Sequence, residues 1–270
     1  EKVAFMILQP NCHGVWVSLR PCSGTHNAMQ NTQWSRLEAM MALLSPAARH
    51  GTGPLARLMQ GGGLHCVFQP LADLREGNIH AHEALIRGPQ DSPLHTPDVL
   101  LSLARQEGIL QDFELLCVFT ALAQWGQHEA PGRLFVNISA DALVHGVALV
   151  GAEMLGETVR SFGLSARMLV LEITEHERVS DMPVLRQAIK AVHACGARVA
   201  LDDFGDGRSS LRLWSEVKPD FVKIDKYFIH DISDHPENLQ MLQAIKGIAD
   251  VFGTKLIAEG IETRDDLRAL

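Results

Sequence analysis

The sequence predicts an α/β protein, a (β/α)8 TIM-like barrel whose first strand runs antiparallel. Three observations carry that expectation. Short apolar runs recur at residues 65–71, 82–87, 134–139, 169–174, 199–204, 221–225 and 255–261. Helical patterns lie between most of them, and strands that alternate with helices build a mostly parallel sheet. The first two runs are separated by ADLREGNIHA alone, too short for a crossover helix, so they form an antiparallel hairpin that turns at Glu76-Gly77-Asn78.

The elements follow in order. Glu1 to Thr32 shows no clear period and carries Pro10, Asn11, Pro21, Ser23 and Gly24. Trp34 to Leu44 reads as a helix that docks on the barrel or on a partner chain. Leu55 to Gln60 reads as a further helical turn, stopped by Gly61-Gly62-Gly63. Residues 1–60 are therefore expected to be a linker or regulatory segment, and residues 61–270 the main domain, truncated at its C-terminal end. Helices are predicted at 97–108, 112–128, 150–162, 183–195, 209–217 and 238–251. The strand count falls one short of a closed barrel, and the chain ends inside a helix that starts near Arg264. The last strand is expected to be missing from this chain or to come from elsewhere.

Composition narrows the class. Of the 270 residues, 46% are hydrophobic and 21% charged, an ordinary globular balance. The net charge of −8 makes non-specific binding of a DNA or RNA duplex unfavourable. The five cysteines (12, 22, 66, 117 and 195) form no Cys-x-x-Cys pair and fit a reduced, cytoplasmic setting. The apolar stretch Val3 to Leu8 is too short for a membrane span or a signal-peptide core. The 13 histidines show no zinc-binding spacing, and His80, His82 and His95 are not expected to form a site. The chain opens on Glu, which reads as a portion of a longer protein whose other regions could tether it to a membrane.

The polar residues fall where a barrel does its chemistry. Glu83 lies in the second run, Asn137 and Glu172 near the ends of the third and fourth, and Asp202-Asp203 at the end of the fifth. Lys223 and Asp225 end the sixth, and Glu259 the seventh. Carboxyl ends of barrel strands converge on one mouth. Adjacent carboxylates such as Asp202 and Asp203 repel, and clustered buried acids are costly without a partner. A cation between them removes that cost. The donors are oxygens, with no Cys or His, which suits one or two Mg2+ or Mn2+ ions. Two such ions would serve phosphodiester hydrolysis. Neighbouring strand residues face opposite ways, so Asp202 and Asp203 share a site only where the strand ends; Gly205 and Gly207 permit the turn. Asn137 is alternatively a helix cap, and Arg87 a partner of Glu83. A Schiff-base role for Lys223, as in an aldolase-type barrel, is disfavoured because surrounding acids raise its pKa.

These blocks resemble the EAL-domain cyclic di-GMP phosphodiesterases. HEALIR carries Glu-Ala-Leu at 83–85, and FQPL, VNIS, LEITE, LDDFGDGRSSL, VKID and IAEGIET follow or precede it in the family's order, over roughly Gly63 to Leu270. The resemblance implies hydrolysis of cyclic di-GMP to linear pGpG with Mg2+ or Mn2+. By position, Glu83, Asn137, Glu172 and Asp202 would hold one ion, Asp203 the second, and Asp202 would bridge. Lys223 would orient the attacking water, and Glu259 would be general base or second-ion ligand. Arg87 would contact a phosphate, Gln69 would lie near a guanine, and Asp225 would be a supporting acid on the substrate side. Glu175 would pin a loop, with Glu262 a further supporting acid. A homodimer and additional signalling domains are also implied. Asp206 and Arg208 depart from the family's loop pattern, which usually has a small residue and an aromatic there. The alternative is a catalytically inactive receptor, but the chain keeps the acids that such members lose.

Overall fold

The computed structural model describes residues 5–8, 27–73, 77–127, 132–174, 180–205 and 211–270. Eight strands close into a barrel in chain order: β1 (Phe5–Leu8), β2 (His65–Asp73), β3 (Ile79–Arg87), β4 (Arg133–Ser139), β5 (Leu169–Thr174), β6 (Arg198–Phe204), β7 (Phe221–Ile224) and β8 (Lys255–Ile261). β3 to β8 pair parallel, whereas β2 is antiparallel to both its neighbours. All the strands read from the sequence are therefore present, and the first of them forms the expected hairpin. Beyond β8 the chain enters α12 (Arg264–Ala269). The remaining place in the barrel is taken by β1. It runs parallel to β8 through Phe5↔Ile257 and Met6↔Ala258 and antiparallel to β2 through Phe5↔Asp73 and Ile7↔Leu71.

The helices α4 (Pro97–Gln106), α5 (Leu110–Trp125), α6 (Ala140–Val150), α7 (Leu155–Ser161), α8 (Met182–Cys195), α9 (Leu211–Val217), α10 (Lys226–Ile229) and α11 (Pro236–Phe252) sit in the connections. The single helix expected over 150–162 is a correction. Two helices, α6 and α7, occupy 140–161 and break at Gly151, whose φ of 87 ends α6. The start of α6 was hidden because Ser139 both ends β4 and caps the helix, its Oγ accepting from Ala142 N at 3.2 Å. Among the described residues no single helix is long and apolar enough to cross a membrane. α6 and α7 have the composition only as a pair, and they meet at 90°.

The N-terminal helices α1 (Asn27–Met41), α2 (Pro46–His50) and α3 (Pro54–Gln60) pack on the barrel's helical shell. Leu37, Leu44, Leu55 and Met59 share one apolar core with α5 and the outer faces of the strands. Glu107 fixes α3 from the end of α4: its carboxylate accepts from Leu55 N at 2.8 Å and Ala56 N at 3.0 Å, satisfying donors at a helix start.

A second apolar cluster fills the barrel itself: Leu71, Ala81, Phe135, Val170, Ala200, Phe221 and Ile257. Each strand from β2 to β8 gives one of these side chains. They form a packed layer that closes the barrel below the mouth.

Candidate metal centre

Alternation along a strand returns a side chain to the same face every second residue. Two residues past each interior apolar side chain of β3 to β8 stands a polar one: Glu83 after Ala81, Asn137 after Phe135, Glu172 after Val170, Asp202 after Ala200, Lys223 after Phe221 and Glu259 after Ile257. In antiparallel β2 the same step runs backwards, from Leu71 to Gln69, and Gln69 pairs with Glu83 across the hairpin. The mouth is thus a second layer laid directly on the apolar one.

Lys223 is at the centre of that layer and only 2% exposed. Its Nζ lies 2.8 Å from Glu259 Oε1, 3.0 Å from Asp202 Oδ1, and 3.2 Å from both Glu83 Oε2 and Glu172 Oε1. Asn137 Nδ2 donates to the other Glu83 oxygen at 2.9 Å. Asn137 is therefore part of the cluster and not the cap of α6, a role held by Ser139. Arg87 does not pair with Glu83; its Nη1 donates to Ile86 O at 2.8 Å.

Glu172 is fully buried, and neither of its oxygens accepts an aligned hydrogen bond, although the ammonium is nearby. Burial, followed by repulsion from Glu83, raises its pKa well above the usual carboxylate range. Burial likewise pushes Glu259 up to about 7, with Lys223 opposing and Asp202 and Glu83 adding to the rise. Burial alone would lower the Lys223 pKa, but Asp202, Glu172, Glu83 and Glu259 together raise it well above the normal lysine value. These are the electrostatics of a site with an excess of negative charge.

Asp202 and Asp203 reach the mouth together because the strand breaks its alternation between them. Asp203 has a φ of 54, in the left-handed region, and the pairing of β6 with β7 shifts register between Leu201 and Phe204. Asp203 N donates to Asp202 Oδ1 at 3.0 Å. Gly205 follows with a φ of 112 and a Phe228 ring pressed against it, where a Cβ would collide.

Two carboxylate trios result. Glu83, Glu172 and Asp202 offer one oxygen each within 4.8 Å of one another, and so do Asp202, Asp203 and Glu259. The trios share Asp202. Both are made of oxygen donors alone, with the orphaned Glu172 carboxylate aimed among them, and that donor set fits a hard divalent cation.

Other expected residues lie further out. Asp225 caps α10 by accepting from Tyr227 N at 2.9 Å. Glu262 is exposed, 3.6 Å from His230 Nε2, and outside both trios. His82 is buried against Trp125, with ring centroids 4.9 Å apart. His95 Nδ1 bonds Gly88 O at 3.0 Å. Sequence reasoning passed over His65, which pairs with Arg87 across the hairpin. Burial first, then His95 and Arg87, lower its pKa. The backward alternation Leu71, Gln69, Val67, His65 was the signal available. Glu175, Asp206, Gly207 and Arg208 lie outside the described residues.

The family model for the EAL domain matches residues 54–270. The chain belongs to the EAL domain family. Among curated relatives, this EAL domain is 31% identical over 213 residues to a cyclic di-GMP phosphodiesterase of Pseudomonas aeruginosa, covering 77% of the chain and 36% of the relative. It is also 31% identical to a probable cyclic di-GMP phosphodiesterase of Escherichia coli, over 73% of the chain and 38% of the relative. The chain thus spans about a third of the length of these curated relatives. Among solved structures, BlrP1 of Klebsiella pneumoniae, in a complex with calcium and cyclic di-GMP, matches at a TM-score of 0.67 and 26% identity, covering 77% of this chain and 52% of that one. The EAL domain of Mycobacterium smegmatis DcpA matches at 0.61 and 30% identity, covering 78% and 85%.

Proposed function

We propose that this EAL domain hydrolyses cyclic di-GMP to linear pGpG with Mg2+ or Mn2+. The observation that carries the reading is the pair of carboxylate trios joined at Asp202, with the unmatched Glu172 carboxylate inside. The names of the two relatives, and the BlrP1 complexes with cyclic di-GMP and calcium or manganese, support the substrate and the ion class.

Glu83, Asn137, Glu172 and Asp202 would hold one ion, and Asp202, Asp203 and Glu259 a second. A bound divalent ion supplies Lewis-acid polarisation of a phosphoryl oxygen and a lowered pKa for water. The protein's groups do the rest. Glu259, at the end of β8 beside the ammonium, takes a proton from the attacking water as general base. Lys223, 2.8 Å from Glu259, holds that carboxylate and orients the water. The water oxygen bonds to phosphorus in line with the ribose 3′-oxygen. That P–O bond breaks, and the leaving oxygen picks up a proton, leaving a linear dinucleotide with a 5′-phosphate. Arg87, at the end of β3, holds a phosphate, Gln69 reads a guanine edge, and Asp225 supports the substrate side. The reading extends to a cytoplasmic homodimer that works beside other signalling domains.

The test is incubation with cyclic di-GMP and Mg2+ or Mn2+ followed by separation of the products. The native chain yields pGpG, and Glu83→Ala yields none. Binding of the dinucleotide without pGpG would replace the enzyme with an inactive receptor. Turnover retained in Glu83→Ala would overturn the assignment of ligands.

A further inference from the structure

An ammonium has three N–H bonds, and Lys223 faces four carboxylates at 2.8–3.2 Å. An aligned hydrogen bond from the ammonium reaches Glu83 Oε2 at 3.2 Å, whereas Glu172, the most buried of the four and just as near, accepts no aligned bond at either oxygen. Among the described residues, Lys223 is the cation paired with each of these acids. Three of its partners, Glu83, Glu172 and Asp202, are also the first carboxylate trio; the fourth and nearest, Glu259, belongs to the second. An ammonium and a dication therefore compete for the same carboxylates, and at such range they repel each other strongly.

We propose that Lys223 is the built-in counter-ion of the cage: it holds the four carboxylates together in metal-free protein and yields Glu83 and Glu172 to a divalent ion while keeping Glu259. This role rests on the metal-binding part of the proposed function and is separate from orienting water. It makes Lys223 a positioning residue that trades metal affinity for the stability of the metal-free fold. Without the ammonium, buried like charges face one another with no cation among them, and a divalent ion becomes their sole neutraliser.

The experiment compares native protein with Lys223→Met, by calorimetric titration with Mn2+ and by thermal melts in chelator and in Mn2+. Lys223→Met melts about 10 °C lower than native in chelator and recovers most of that loss in Mn2+. It also binds Mn2+ about 10-fold or more tightly than native. A merely structural lysine would lower both melts equally and leave affinity unchanged or weaker. Either result overturns the proposal. If the variant does not stay folded in chelator, affinity is read from the loaded state, as the chelator concentration that strips half of the Mn2+. That concentration rises in the variant if the proposal holds and does not rise if it fails. Lys223→Arg keeps the positive charge and brings the melt in chelator back toward native. Absence of Mn2+ uptake by both proteins would overturn the metal site itself. Uptake by native protein with no gain in Lys223→Met overturns the counter-ion role alone.

Discussion

Asp220, at the amino end of β7, and Glu172, near the carboxyl end of β5, are both carboxylates set against the barrel, and the fold treats them in opposite ways. At Asp220 burial would raise the pKa, but hydrogen bonds from His193, Val199 N and Arg198 bring it down to about 2. His193 Nε2 and Val199 N each lie 3.0 Å from Oδ2, and Arg198 pairs with Oδ1. At Glu172 no aligned donor reaches either oxygen, and the pKa moves upward. The amino end ties strands together, as Lys255 N donating to Asp220 O at 2.9 Å also shows. The carboxyl mouth keeps charge unmatched. In barrels of this kind, conserving stability at one end and reactivity at the other is the usual division. Here it is visible in how many donors each acid receives.

The sharpest way to break the comparison is to remove the unmatched charge. In the reaction proposed above, Glu172→Gln lowers hydrolysis by about 1000-fold or more, because an interior carboxylate that would hold the ion loses its charge. Yet metal-free Glu172→Gln melts at the native temperature or above, since the lost carboxylate had no aligned hydrogen bond and Lys223 keeps three other acids. Melts in chelator and product assays check both halves. A drop of several degrees in chelator would show that Glu172 is a structural acid like Asp220.

Between the two ends lies the interior apolar layer. Phe135 is 1% exposed and meets Phe221 edge-on, with centroids 5.3 Å apart. Phe135→Ala costs about 3–4 kcal/mol of unfolding free energy in a urea titration. It also loosens Asn137, two residues along β4. A cost below about 1 kcal/mol would mean that the layer is not the packed support of the mouth.

Much of this arrangement was legible in the sequence because it is local. VAL followed by DDF, FVK, and LIAE each place an apolar residue two positions before a charged one, and a period of two fixes both to one face. Asp202 and Asp203 side by side gave away a break in that period, which the positive φ at Asp203 supplies. What remained hidden is non-local or doubly used. Ser139 ends a strand and starts a helix with no loop between, so α6 left no boundary to read. Val3 to Leu8 was visibly apolar, but nothing in a run that short names its partners, and β1 pairs with strands at both ends of the domain. The grouping of four acids on Lys223 depends on strands more than 100 residues apart, as the Glu83 contact illustrates with its separation of 140.

The smallest effect tests the matched end. Asp220 has a folded-state pKa of about 2 against an ordinary value of 3.8. A depressed carboxylate contributes stability that is fully present above the unfolded value and is lost as pH falls through the folded one. Its side chain is 17% exposed and its partners Arg198 and His193 are more so, at 52% and 37%. After allowance for solvent screening the contribution is about 1 kcal/mol at neutral pH. Asp220→Asn therefore destabilises the protein by about that amount at neutral pH, and the difference from native shrinks between pH 3.8 and about 2. Urea titrations across that range measure it. The amide keeps one acceptor for Val199 N or Arg198, so the loss stays small and product formation at the mouth is unaffected. A gap that stays constant as the pH falls would mean that Asp220 acts by shape and packing, and that donors matched to charge do not distinguish the two ends of the barrel.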